Sequence, residues 1–291
     1  MIKHRTFSKE LSGSLAILGS AFCFYLSTVV VRWATTAHVG LNSQFLVFFR
    51  FLFGFLVIVG IMIIKRKIPR PHRYRLLFGR MLFNTVSVAC FFKAIEVTTV
   101  AESNILNMTY PVFIAVISWF LFRERHDVLA VGMTFVAFVG IVLVLAPAEF
   151  RFASENLWGL ASGSTAALAI IFLQMARQHN DTDTVLLVMF GGGTLLLGGS
   201  FWNHLSLPTQ IQGFYLVLCG STAFLGQYLL TLGFRYVSAV KGSIISLSRI
   251  LLAALLGPYL TADPHLTAFG WVGALLILTT NTYFITRKSK A

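Results

Sequence analysis

The sequence predicts an all-α integral membrane protein of ten transmembrane helices in two inverted five-helix repeats. Three observations carry that prediction. Long apolar runs fill almost the whole chain. The loops between them alternate in charge. The second half also echoes the first at a fixed offset.

Of the 291 residues, 57% are hydrophobic and only 11% charged, against about 25% charged in soluble domains. The net charge of +13 raises the question of nucleic acid. The basic residues, however, sit in short loops between apolar spans, so no nucleic-acid partner is expected. Cys23, Cys90 and Cys219 each lie within an apolar span without CxxC spacing and read as packing residues.

In chain order, Lys3, Arg5 and Lys9 precede an apolar run from about Leu15 to Ala34. That run is too long for a signal-peptide core and reads as the first span. Further spans are expected near 43–64, 76–96, 100–122, 128–147, 157–177, 184–202, 211–234, 238–260 and 266–286, each about the 20 residues a bilayer requires. With the N-terminus inside, one set of loops holds Lys3, Arg5, Lys9, Lys65, Arg66, Lys67, Arg70, Arg73, Arg75, Arg123, Arg125, Arg177, Arg235, Lys241, Arg287, Lys288 and Lys290. The other set holds only Arg151. The positive-inside rule then places both termini in the cytoplasm.

Val97-Thr-Thr-Val-Ala-Glu-Ser103 is echoed by Val237-Ser-Ala-Val-Lys-Gly-Ser243, an offset of 140, and Ile105 matches Ile245. Acids follow each echoed helix, Glu124 and Asp263, and then glycine-bearing spans, with Gly132 and Gly140 in one and Gly270 and Gly273 in the other. The repeats are expected to be residues 1–147 and 148–291. Five spans is an odd number, so the repeats must lie in opposite orientations, a design of secondary transporters with a midplane site.

The fourth span carries the densest polar pattern. Asn104, Asn107 and Pro111 fall on one helical face. Pro111 should kink the axis and free a carbonyl, which lipid does not satisfy. This face is therefore either a cavity wall or a packing kink bonded to neighbouring helices. Arg249, deep in the ninth span with Ser246 and Ser243 behind it, has no acid at comparable depth in any span. Buried guanidinium of this kind is a functional candidate, with a planar fork suited to a carboxylate or phosphate. The alternative is bonding to Asn104, Asn107 or carbonyls near Pro111. Asn84 and Ser87 share a face of the third span with Arg80. Gln227, with Tyr228 beside it, shares a face with Thr231 in the eighth. Arg32 and Arg80 lie near span ends, where snorkelling to the interface is expected. Lys93, Glu96 and Glu102 cluster near the opposite ends of spans three and four, as a salt-bridged gate or a solvated rim. The tryptophans read mostly as interface anchors. The Gly191-Gly-Gly193 run reads as helix contact rather than a phosphate loop.

The pattern Ala101…Pro111-Val-Phe…Phe122-Arg-Glu124…Gly132…Gly140, with Arg50-Phe51 in the second span, resembles the EamA family of the drug/metabolite transporter superfamily. The resemblance covers both halves. It implies a cavity lined by helices three, four, eight and nine with one and six, and a structural role for Arg50. Two departures stand out: Leu251 occupies the second-half proline position, and Asp263 replaces a glutamate.

The expected function is transport of a small polar metabolite bearing a carboxylate or other anionic group, amino-acid-like or S-adenosylmethionine-like, across the inner membrane. With no mid-membrane acid to relay protons, facilitated transport or exchange is expected over proton coupling. An intramembrane enzyme would need a catalytic constellation that these spans do not offer; a helper subunit of another complex is the remaining class. No cofactor or metal is expected. The expected partners are the small-molecule substrate and the lipid bilayer, and the sequence leaves the oligomeric state open between monomer and homodimer.

Overall fold

A computed structural model describes residues 2–34, 41, 43–97, 100–121, 128–145, 154–201, 208–261 and 265–286. Among them every regular element is helical. They are α1 (Ile2–Ala34), α2 (Ser43–Ile64), α3 (Tyr74–Val97), α4 (Val100–Asn107), α5 (Tyr110–Leu121), α6 (Val128–Leu145), α7 (Asn156–His179), α8 (Thr182–Phe201), α9 (Gln210–Gly233), α10 (Ala239–Ser246), α11 (Ser248–Leu260) and α12 (Ala268–Thr286). The pairs α4/α5 and α10/α11 each form one broken span, so twelve helices make ten spans. Eight spans are long and apolar enough to cross a bilayer unaided, and shorter apolar stretches at Ser103–Ser118 and Val131–Val144 supply the other two. Leu56, Phe135, Leu195, Leu225, Phe269 and Leu275 are exposed on the outside. An apolar exterior of this kind is suited to hydrocarbon, not water.

The helix pairings obey a two-fold rule. Exchanging the halves turns α1 packed on α9 into α7 packed on α3, and α2 on α9 into α8 on α3. The α2–α8 and α6–α12 pairs map onto themselves. At the α6–α12 seam the backbones nearly touch, since a Cβ on Gly140 would lie 2.8 Å from the Gly273 carbonyl oxygen. Small residues allow such approach where lipid provides no hydrophobic driving force. The boundary expected at 147/148 falls in 146–153, outside the described residues. So do Arg123 to Asp127, Arg151, Asp263 and the basic C-terminal residues from Arg287.

One end of the bundle is basic and tightly tied. Lys67 pairs with Asp183 at 2.8 Å and with Asp181, and Lys241 pairs with Glu10 at 3.0 Å. Asn180 receives the His72 N–H at 2.7 Å and returns a bond to its carbonyl at 2.8 Å. Burial works to raise the Asp181 carboxyl, but hydrogen bonds from Lys67 and Thr184 outweigh it and hold the group below its ordinary value. Those same bonds, to Asp181 and then Asp183, raise the Lys67 ammonium. At the opposite end Trp33 donates to the Leu260 carbonyl at 2.9 Å.

Two expectations about the helices need correction. The first helix begins about a dozen residues before its apolar run, because Lys3 to Leu11 continue it as a polar extension. The fourth span is not one kinked helix. It stops at Asn107, turns through Met108 and Thr109, and restarts at Tyr110. Pro111 then sits in the first turn of α5, where a missing N–H leaves no bond unmade. The ninth span breaks at Leu247 with no proline nearby, at the offset-140 counterpart of Asn107.

Candidate functional site

The two breaks meet in the interior. At the first, Met108 N–H donates to Asn104 O at 2.8 Å, and the Thr109 hydroxyl closes on Leu106 O at 2.6 Å. Gly163 of α7 packs against the carbonyls of Leu106 and Asn107, where any side chain would collide. At the second, Leu247 N–H donates to Ile244 O, and its own carbonyl accepts from Ile250 N–H. The arms then cross. The Tyr110 hydroxyl donates to Ser243 O at 3.2 Å, and Arg249 Nη2 lies 3.2 Å from Met108 Sδ.

Arg249 is therefore the second residue of α11, beside both breaks. A thioether is a weak acceptor, and most of the guanidinium's five donors remain uncommitted among the described residues. The Arg50 guanidinium carbon lies 5.5 Å over the Phe24 ring, within electrostatic range of Arg249. Two cations thus face the same interior, and all ten acids of the chain lie near or beyond span ends. The start of α11 adds the partial positive charge of a helix N-terminus.

The other candidates divide. The Ser243 hydroxyl donates to Val240 O at 2.8 Å and the Ser246 hydroxyl to Gly242 O at 2.9 Å, so in this conformation the stripe behind Arg249 offers an anion no free hydroxyl donors. Ser87 and Ser162 exchange hydroxyl–carbonyl bonds, each 2.9 Å, while Asn107 Nδ2 donates to Ser162 Oγ at 2.6 Å. That node clamps α3, α4 and α7 together. Gln227 is buried with its Nε2 unpartnered. Tyr228 is half-buried on the aromatic run through Phe224 and Phe190. Asn84 and Asn104 are half-buried, and Pro111 is buried. Lys93 is exposed near the end of α3; the side chains of Glu96 and Glu102 are outside the described residues. Arg32 is exposed at the end of α1. Arg80, by contrast, does not snorkel: it is 1% exposed, because α8 covers it.

Met108, Tyr110 and Phe24 were not singled out from sequence. Tyr110 had a signal in its position directly before the proline. Met108 and Phe24 had none, since neither is polar.

The EamA-like transporter family model matches the chain twice, over residues 11–146 and 153–285. An uncharacterized transporter of Archaeoglobus fulgidus is 28% identical over 91% of this chain and 93% of its own length. The pseudopaline exporter CntI of Pseudomonas aeruginosa is 24% identical over 82% of this chain and 83% of its own. A crystal structure superposes with TM-score 0.77 at 18% identity, covering 94% of this chain and 96% of that one, a likeness of fold.

Proposed function

Because this chain belongs to the EamA-like transporter family, we propose that it carries a small metabolite bearing a carboxylate or other anionic group across the membrane by alternating access, with Arg249 holding the anion. One observation supports the reading above all: Arg249 stands at the meeting of the two broken spans, and among the described residues its only hydrogen-bond partner is a thioether. Burying a guanidinium so poorly matched is costly. A carboxylate entering between the arms would accept two parallel N–H bonds from its fork. Phe24, Tyr110 and Tyr228 would flank the rest of an amino-acid-like or S-adenosylmethionine-like molecule.

Alternating access draws support from an asymmetry. At the basic end α5 packs on α10. Their counterparts at the other end, α11 and α4, have no comparable packing among the described residues. Inverted repeats that exchanged conformations would close the second contact and open the first. In this reading the basic end and both termini face the cytoplasm.

The test is a thermal-shift screen of carboxylate, phosphate and neutral metabolites on the purified protein, since ligands of the folded state raise its apparent stability. Hits are then measured on two variants. Arg249→Lys keeps the charge but loses the fork and should weaken binding substantially. Arg249→Gln should lose roughly 1.5–3 kcal/mol, about ten- to a hundredfold in affinity, together with the preference for anionic over neutral analogues. A well-folded Arg249→Gln protein with unchanged affinity overturns the assignment. Uptake by liposomes holding this protein alone separates a transporter from a helper subunit.

A further inference from the structure

Arg80 is a deep guanidinium that the substrate reading leaves without a role. It lies on α3, two turns in from Tyr74, against α8. It is 1% exposed. Its Nε has no hydrogen-bond partner, and its Nη2 lies 3.6 Å from Met189 Sδ. Among the described residues no acid pairs with it. The side chain does not reach the interface, because α8 covers it. The nearest acid along α8 is Asp183, about 9 Å of helix from Met189 at 1.5 Å per residue. Asp183 is already taken, by Lys67 at 2.8 Å and Lys65 at 3.7 Å.

The surroundings are otherwise apolar. Leu77, one turn toward the basic end, belongs to a buried cluster with Ile17, Leu173, Leu230 and Phe234. Met81, Leu186, Met189 and Phe190 are all buried. One turn further in, Asn84 is half-buried and presents an amide on the same face as Arg80. The seam is tightly packed, since a Cβ on Gly192 of α8 would come within 2.6 Å of Met81. So tight a seam disfavours an organic anion, which would have to displace helices, and leaves a single-atom ion as the smallest anion that could answer the charge.

We propose that Arg80 binds a halide in the seam between α3 and α8, with the Asn84 amide as second donor. The bound ion neutralises a charge that no acidic side chain answers among the described residues. It also ties α3 of the first repeat to α8 of the second. The site is separate from the substrate anion at Arg249 and does not depend on that reading.

The test uses the purified full chain in detergent, with thermal unfolding followed in sodium gluconate, chloride and bromide at equal ionic strength. Wild-type protein should gain a saturable shift of several degrees in chloride or bromide over gluconate. Arg80→Met replaces the guanidinium with an apolar chain. In gluconate it should unfold at higher temperature than wild type, and halide should not move it. Arg249→Gln should keep the wild-type halide response. The proposal is overturned if wild type shows no halide-specific shift, if Arg80→Met keeps it, or if Arg249→Gln abolishes it. Should Arg80→Met fail to fold, crystals of wild type grown in bromide decide the matter. An anomalous peak beside the Arg80 guanidinium supports the site, and its absence there overturns it.

Discussion

Replacing Gly163 by alanine tests how the first helix break is held open. A Cβ at this position would lie 2.5 Å from Thr109 Oγ1, 2.7 Å from Leu106 O and 3.1 Å from Asn107 O. Two of these are backbone atoms of the break and cannot swing aside. The hydroxyl is itself held by its 2.6 Å bond to Leu106 O. Overpacking of this kind costs about 1–3 kcal/mol. Alanine's better helix propensity in the interior of α7 returns about 1 kcal/mol. Gly132 provides the control, because a Cβ there meets nothing within 4 Å; Gly132→Ala should gain the propensity term alone. The variants should therefore differ by about 1–3 kcal/mol, with Gly163→Ala the less stable. Reversible unfolding in mixed detergent–SDS micelles measures both. Transport should also fall in Gly163→Ala and not in Gly132→Ala, since the wedge bears on Leu106, Asn107 and Thr109, which flank Met108, the contact of Arg249. Equal stability of the two variants would refute the claim that α7 rests on the exposed carbonyls.

Two further outcomes are expected. The Asp181 carboxyl lies below its ordinary value of 3.8, so the stability it contributes is fully present above that value and is lost as pH falls through the lowered one. Lys67 lies above its ordinary 10.5, so its contribution is present below that value and lost as pH rises through the raised one. Lys67→Met should thus cost up to about 1 kcal/mol, constant from roughly pH 5 to 9 and vanishing in strong acid; unfolding at several pH values checks this, and a cost that grows in acid contradicts the clasp. For topology, a cysteine placed at the exposed Arg70, in a chain with its native cysteines replaced, should react with an impermeant thiol reagent only when the cytoplasmic face is open, and labelling from outside intact cells removes the proposed orientation.

The spans were legible because hydropathy measures what the bilayer selects. Predicted and observed ends of α2, α7, α9 and α12 agree to within about two residues. What hydropathy does not measure is helix continuity. Lys3 to Leu11 carry no membrane signal, yet they have no helix breaker and so prolong α1. The broken spans failed in the opposite way. By sequence the proline marks the irregular point, whereas the ring fits the opening turn of α5 and the irregularity lies just before it. At Leu247 no residue type marks the break. Only the offset-140 echo points there, because the second half keeps the geometry after losing the proline.

The site was half legible, for a related reason. A charge deep in an apolar run is visible in one dimension, so Arg249 and Arg50 stood out. Its surroundings are set by contacts between repeats: Met108 and Arg249 are 141 residues apart, and Ser87 and Ser162 are 75 apart. Depth along a helix also says nothing about what covers it. Arg80 and Arg32 each lie within two turns of a helix end, and the sequence treats them alike. α8 buries the first, while the second stays exposed. Their difference is one of azimuth rather than depth, and azimuth is decided by the neighbouring helix. The same holds for Ser87, whose face is correct for a cavity but whose hydroxyl is consumed by α7. A polar residue inside a span therefore marks an interior face. Whether that face meets another helix or a ligand depends on whether its donors find partners, and at Arg249, among the described residues, they find only sulfur.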